Sequence, residues 1–240
     1  MSRTTTMLTA ILAAVLACGA VRAAEKPDQK EEEKKYIPEF DMRRWNKLTA
    51  RDKESVLKTW TGTDPDILKE YNVYTFINAR IVDEKENIRV RLSAVETASS
   101  LLANQKKDEF TRLAKAYNDM LTKSNADPLY TMIRMKLADM MGVLLDKDNP
   151  QHGGFISNLV TIAQDKRDSN LVRARALNAI GVIGRSEDAT IIMDLLDDRD
   201  EEIKSGALEA LVSILQTGDL SKIDRAVYGK MVRTIKDERA

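Results

Sequence analysis

The chain has 240 residues, with 38 basic against 38 acidic side chains, 43% hydrophobic and 32% charged residues, and only 5% aromatics. High charge with 10 Gly and 5 Pro favours helices, whose exposed faces are covered by Lys, Arg and Glu. The balanced charge excludes the basic footprint that displaces counterions from a phosphate backbone, so no nucleic-acid partner is expected.

Residues 1–23 read as an export signal peptide. Arg3 supplies a positive start, residues 7–17 (MLTAILAAVLA) form an apolar core, and residues 20–24 (AVRAA) offer small side chains. Cleavage after Ala23 places Val21 and Ala23 where signal peptidase reads. The uncharged run 4–21 is barely long enough to span a bilayer, which favours a removed leader over a membrane helix. Cys18 is the only cysteine. Its setting, Val15-Leu16-Ala17-Cys18-Gly19, resembles a bacterial lipobox, although that pattern has Leu where Val15 stands and a smaller residue where Leu16 stands. Cys18 is therefore a candidate lipidation site, with a small hydrophobe inside the signal as the alternative. The expected location is periplasmic or secreted, with membrane contact only if Cys18 carries lipid. With no cysteine after Cys18, the body forms no disulfide and no thiolate metal site.

Residues 24–45 read as a charged flexible tether, because the stretch 25–35 (EKPDQKEEEKK) has no apolar side chain to bury. Residues 46–240 read as one helical body. Most of the aromatics sit near its start: Tyr36, Phe40, Trp45, Trp60, Tyr71, Tyr74 and Phe76. Residues 46–85 are accordingly expected to be an aromatic-rich cap closing the end of a core. The alternative is a docking segment, since Trp and Tyr anchor interfaces.

The body repeats. Val172-Arg173-Ala174-Arg175-Ala176-Leu177-Asn178-Ala179-Ile180 aligns with Ile203-Lys204-Ser205-Gly206-Ala207-Leu208-Glu209-Ala210-Leu211 at an offset of 31. Ile133-Arg134-Met135-Lys136-Leu137-Ala138-Asp139-Met140-Met141-Gly142 is a third copy, 39 earlier, and its Gly142 falls on Gly181. A weaker fourth, Ile88-Arg89-Val90-Arg91-Leu92-Ser93-Ala94-Val95, is set 45 before that. One helical pattern recurring at such intervals signals a solenoid, clearest over residues 128–216. Val172, Ala176, Ala179 and Ile183 share a helical face, and acidic turns at 168–170 and 198–200 supply capping oxygens. Residues 188–196 (DATIIMDLL) read as the short partner helix between two copies. The fold class expected is all-α, an α-solenoid of stacked antiparallel helix pairs. A last helix over about 220–237 closes it.

The aliphatic-Arg start, the Ala-Leu-x-Ala-Leu-Gly continuation and the acidic turn resemble the HEAT-like repeats of bacterial proteins, most closely over 168–216. That resemblance implies an armadillo-like helical scaffold, carries no catalytic residues, and leaves a lyase-like activity as a remote alternative.

The search for chemistry returns little. His152 is the only histidine and lies in Asn149-Pro150-Gln151-His152-Gly153-Gly154, a turn sequence, so it is expected in an exposed loop. One His and no body Cys exclude His/Cys zinc and nucleophile chemistry. Asp198, Asp200, Glu202 and Glu209 mimic a calcium loop, but Ile203 occupies its obligatory glycine position. Met132, Met135, Met140 and Met141 could suggest copper(I), yet at helical spacing they read as core. No cofactor, no metal and no enzyme activity are expected. In the basic series, Arg173 and Lys204 are expected to pair with acidic turn residues, while Arg91 and Arg175 are candidate partner contacts. The function expected is an exported scaffold or adaptor that binds another protein. A lipid-anchored structural envelope protein is the alternative.

Overall fold

The computed structural model describes residues 42–103, 110–123, 127–145 and 152–237. The leader, its Cys18 and most of the charged tether lie outside the described residues. The chain divides between Trp45 and Asn46. Among the described residues, the first part contributes a short helix, α1 (Met42–Trp45).

The second part is built entirely of helices among its described residues. In order these are α2 (Ala50–Thr59), α3 (Pro65–Glu70), α4 (Val73–Val82), α5 (Ile88–Ala103), α6 (Ala114–Thr122) and α7 (Pro128–Leu144). Next come α8 (His152–Gln164), α9 (Asn170–Ile183), α10 (Ala189–Ile192), α11 (Glu201–Thr217) and α12 (Arg225–Asp237). Their starts follow from short polar residues that satisfy the free N–H groups of a first turn. Thr49, Asp64, Asp127 and Asp200 all accept such bonds, and Pro65 and Pro128 stand where their missing N–H costs nothing. Asn72, at φ 54°, is the one described non-glycine in the left-handed region, and it turns α3 sharply into α4.

Packing arranges these helices in two rows. α5, α7, α9 and α11 stack consecutively, each on the next. Behind them α4, α6 and α8 each pack against the inner helix that follows, and α10 with the 3-10 turn Met193–Asp197 does so for α11. Each pair is one repeat. The segment 188–196 therefore does serve as the partner element, but it runs as one α turn followed by 3-10 geometry. Val90, Ile133, Val172 and Ile203 hold equivalent inner positions and are fully buried. Burying one such side chain stabilises the fold by roughly 1.5–3 kcal/mol. Neighbouring inner helices approach closely: a Cβ on Gly181 would lie 3.0 Å from the Ala210 Cα, and one on Gly142 3.5 Å from the Ala179 Cα. α2 covers α5 at one end, and α12 packs on the 3-10 turn at the other. At the first end Trp60 meets Phe76 edge-on with centroids 5.9 Å apart, and Tyr74 meets Phe110 likewise at 5.6 Å. Among the described residues, no helix is long and apolar enough to cross a membrane.

Candidate functional site

Most of the basic series belongs to the scaffold. Arg134 Nε donates to the Leu121 carbonyl at 2.7 Å, and both its terminal nitrogens reach the Asp168 carboxylate at 2.7 and 2.5 Å. Arg173 repeats the arrangement one unit on: Nε donates to Ala163 O at 2.9 Å and a terminal nitrogen to Asp198 at 2.6 Å. Each guanidinium thus closes the C-terminal turn of its own outer helix and grips the acidic turn before the next inner helix. Lys204 pairs within its own turn, with Glu201 at 2.6 Å. Burial by itself would push the Asp198 carboxyl up, but the Asp200 N–H and the Arg173 guanidinium outweigh it and hold it below the usual range. Asp200 is the cap of α11, so the residues that mimic a calcium loop are engaged in the fold.

Arg91 belongs to the same buried series. Only 6% exposed, it donates from Nε to the Ile81 carbonyl at 3.1 Å, as Arg134 and Arg173 do to their own outer helices. It rests over the Tyr130 ring at 5.7 Å where the other two hold a carboxylate. A surface contact by Arg91 does not follow from this placement. Its equivalence to Arg134 also moves the repeat register: Val90-Arg91, not Ile88-Arg89, matches Ile133-Arg134.

His152 corrects the expectation of an exposed loop. It begins α8 and is 1% exposed, with Nε2 2.7 Å from the Ile183 carbonyl and 4.0 Å from the Asp188 carboxylate. A carbonyl only accepts, so Nε2 carries the proton, and the imidazole caps the C-terminus of α9, whose last carbonyls lack helical partners. Met140 and Met141 are buried core, whereas Met132 is exposed. No group of three or more His, Cys, Asp or Glu among the described residues could hold a metal.

Arg175 does reach the surface, and it lies in a pattern that the repeat alignment obscures. On α7, Met132, Lys136, Asp139 and Val143 form an outward stripe at i, i+4, i+7 and i+11. On α9 the same spacing gives Leu171, Arg175, Asn178 and Val182. Both stripes read aliphatic, cation, polar, valine. The four large apolar side chains are 45%, 52%, 50% and 59% exposed for Met132, Val143, Leu171 and Val182. The stripes adjoin, because Arg175 lies 3.7 Å from Asp139 and Val182 packs beside Gly142. On α5 the equivalent residues are Arg89, Ser93, Glu96 and Ser100, and on α11 Glu202, Gly206, Glu209 and Ser213, none of them a large apolar side chain. Partial burial raises the Asp139 carboxyl, with Arg175 and Lys136 pulling it the other way. A signal for these residues exists in the sequence: Asp139 and Asn178 are the variable x of the Ala-Leu-x-Ala motif.

A separate cleft of about 590 Å³ lies beside α11, lined by Asp197, Asp198, Arg199, Glu201, Lys204 and Thr234. Asp197, Asp198, Glu201 and Lys204 all spend their charge on pairs within the fold. The paired stripes are the stronger site.

No family model and no curated protein matches the chain. Solved structures do. A designed armadillo repeat protein superposes with a TM-score of 0.52 at 18% identity, over 75% of this chain and 81% of its own. Computationally designed armadillo repeat proteins for modular peptide recognition give 0.50 at 15% identity, over 82% and 94%. The chain folds as an armadillo-like helical-repeat solenoid. At these identities the likeness fixes the fold.

Proposed function

We propose that this armadillo-like chain is an exported scaffold that holds another protein against the outward stripes of α7 and α9, with no catalytic step. The observation that carries the reading is the doubled stripe: four large apolar side chains, 45–59% exposed, stand together around a charged centre. Large apolar side chains clustered at the surface beside polar ones mark interaction sites. The described purpose of one similar structure, modular peptide recognition, supports a polypeptide as the partner. Export rests on the leader pattern over residues 7–24.

The test is a crosslinking pull-down of the full-length protein from its native envelope. Val182→Asp and Arg175→Glu, both checked for native helicity, should remove the same dominant partner, while Ile191→Ser on α10 should retain it. A partner kept by both stripe variants would refute the site. Cell fractionation and N-terminal sequencing check export, and a cytosolic uncleaved chain would refute that part. Lipid labelling lost in Cys18→Ser, with no partner recovered, would instead support the anchored structural role.

A further inference from the structure

Across the stack, the outward positions of α5, α7, α9 and α11 sort their charge by row. The second row, Ser93, Lys136, Arg175 and Gly206, holds two cations and no carboxylate. The third, Glu96, Asp139, Asn178 and Glu209, holds three carboxylates and no cation. The exposed aliphatic side chains lie beyond these rows, Met132 and Leu171 on the basic side, Val143 and Val182 on the acidic side. Arg89 and Glu202, at the two flanks of the first row, cancel, and Ser100 and Ser213 flank the fourth. The face therefore has little net charge but a clear polarity along its helices. Lys136, Glu96 and Glu209 are exposed and make no ion pair among the described residues. Arg175 approaches Asp139 only to 3.7 Å, against 2.6 Å for the buried Arg173–Asp198 pair.

A uniformly acidic or basic partner would be attracted by one row and repelled by the other. The surface that matches carries the same two rows in the opposite order, and the chain itself supplies it. In a two-fold dimer one patch meets its own copy. An axis parallel to the helices would set each row on itself, Lys136 against Arg175. An axis across the helices reverses the order of the rows. Lys136 then faces Asp139 of the second copy, and Arg175 faces Asn178 between the carboxylates of Asp139 and Glu209. Met132 and Leu171 face Val143 and Val182, while Glu96 and Glu209 face Ser93 and Gly206. At none of these positions do like charges meet. The rows span about 16 Å along the helices at 1.5 Å per residue. Four helices set about 10 Å apart extend the face to about 30 Å. That is about 500 Å² per copy and about 1,000 Å² in all, the lower limit of a specific contact and within the range of transient ones.

We propose that the outward face of α5, α7, α9 and α11 binds a second copy of this chain, turned end for end about a two-fold axis across the helices. Lys136 of each copy meets Asp139 of the other, and the aliphatic rows close over both sides of this charged centre. The inference rests on the reading of this face as the binding surface and names the protein that fits it. The dimer is transient, with a micromolar dissociation constant.

The test is sedimentation equilibrium of the full chain over micromolar to millimolar concentrations, with each variant checked for native helicity. Wild type should pass from monomer to dimer, and added salt should weaken the dimer. Lys136→Glu and Asp139→Lys should each raise the dissociation constant at least about tenfold, because each sets like charges face to face. Mixed in equal amounts, the two variants should pair with near wild-type affinity, since every facing charge then meets its opposite. Val182→Ser should weaken the dimer, and Ile191→Ser should leave it unchanged. A monomer at every concentration would overturn the proposal. So would a dimer indifferent to Lys136→Glu and Asp139→Lys, or a mixture of the two that pairs no better than either alone. If the chain is monomeric while Val182→Asp still abolishes the pull-down, this inference fails and the scaffold reading stands. If the pull-down is also indifferent to Val182, both fail.

Discussion

Replacing Arg173 with Met tests whether the buried guanidiniums join one repeat to the next. The side chain is 3% exposed, and the change deletes three bonds: to Ala163 O at 2.9 Å, Asn170 Oδ1 at 3.2 Å and Asp198 Oδ2 at 2.6 Å. Met fills much of the same space, so the loss is mainly electrostatic. Asp198, with its side chain 5% exposed, keeps the Asp200 N–H but loses its cation. Breaking a buried pair from one side costs about 3–5 kcal/mol. With a urea slope of about 2–3 kcal/mol/M for a body of this size, the midpoint should fall by about 1–2.5 M. Removing both charges, as in Arg173→Met with Asp198→Asn, should cost less than the sum of the single changes, because no uncompensated charge stays buried. The assay is urea unfolding followed at 222 nm for wild type, both singles and the double. A loss below about 1 kcal/mol for Arg173→Met, with additive singles, would refute the coupling role.

Three further outcomes are expected. His152→Ala strips the Ile183 carbonyl of its donor and should cost about 1–3 kcal/mol, read as a lower thermal midpoint; no change would mean that water caps α9 equally well. Gly184→Ala should be destabilising by about 1–3 kcal/mol, because its Cβ would lie 2.5 Å from the Ile180 carbonyl and 2.8 Å from Ile214 Cδ1; an unaltered midpoint would show that α11 yields at no cost. The lowered Asp198 carboxyl is a depressed acid, so its contribution is present above the unfolded value of about 4 and is lost as pH falls through the folded one. Urea midpoints of wild type and Asp198→Asn should therefore converge on acidification below about pH 4, and a gap that persists unchanged to pH 2 would contradict the linkage.

The repeat was legible because Ala-Leu-x-Ala places small residues wherever inner helices touch, and Ala176, Ala179, Ala207 and Ala210 are buried for that reason. The register of the first copy was not. Ile88-Arg89 and Val90-Arg91 are both aliphatic-basic pairs, and only the Asn87 side chain, accepting from the Arg89 N–H at 2.9 Å, decides that Arg89 lies in the first turn and Arg91 inside. His152 was misread because Pro and paired Gly describe local backbone preference, whereas its burial answers the need of a carbonyl on another helix. The outward stripes escaped a reading tuned to core positions. Lys136, Asp139, Val143 and Val182 acquire meaning only once stacking sets α7 beside α9.

The placement of the clamps bears on the site. Arg134–Asp168 ties α7 to the turn that starts α9, and Arg173–Asp198 ties α9 to the turn that starts α11. Arg91, with a sulfur and an aromatic ring in place of a carboxylate, makes a weaker joint one unit earlier. Of the two helices with apolar stripes, α9 is thus held by buried charge on both sides, and α7 on the side that faces α9. A rigid surface loses little freedom on binding, so more of its contact energy appears as affinity. The clamp residues touch no partner, yet their removal should weaken binding under conditions where the variant remains folded. Arg173→Met should then raise the dissociation rate of a bound partner without abolishing its capture, since the stripes themselves are intact. An unaltered dissociation rate in the folded variant would refute the link between clamp and site.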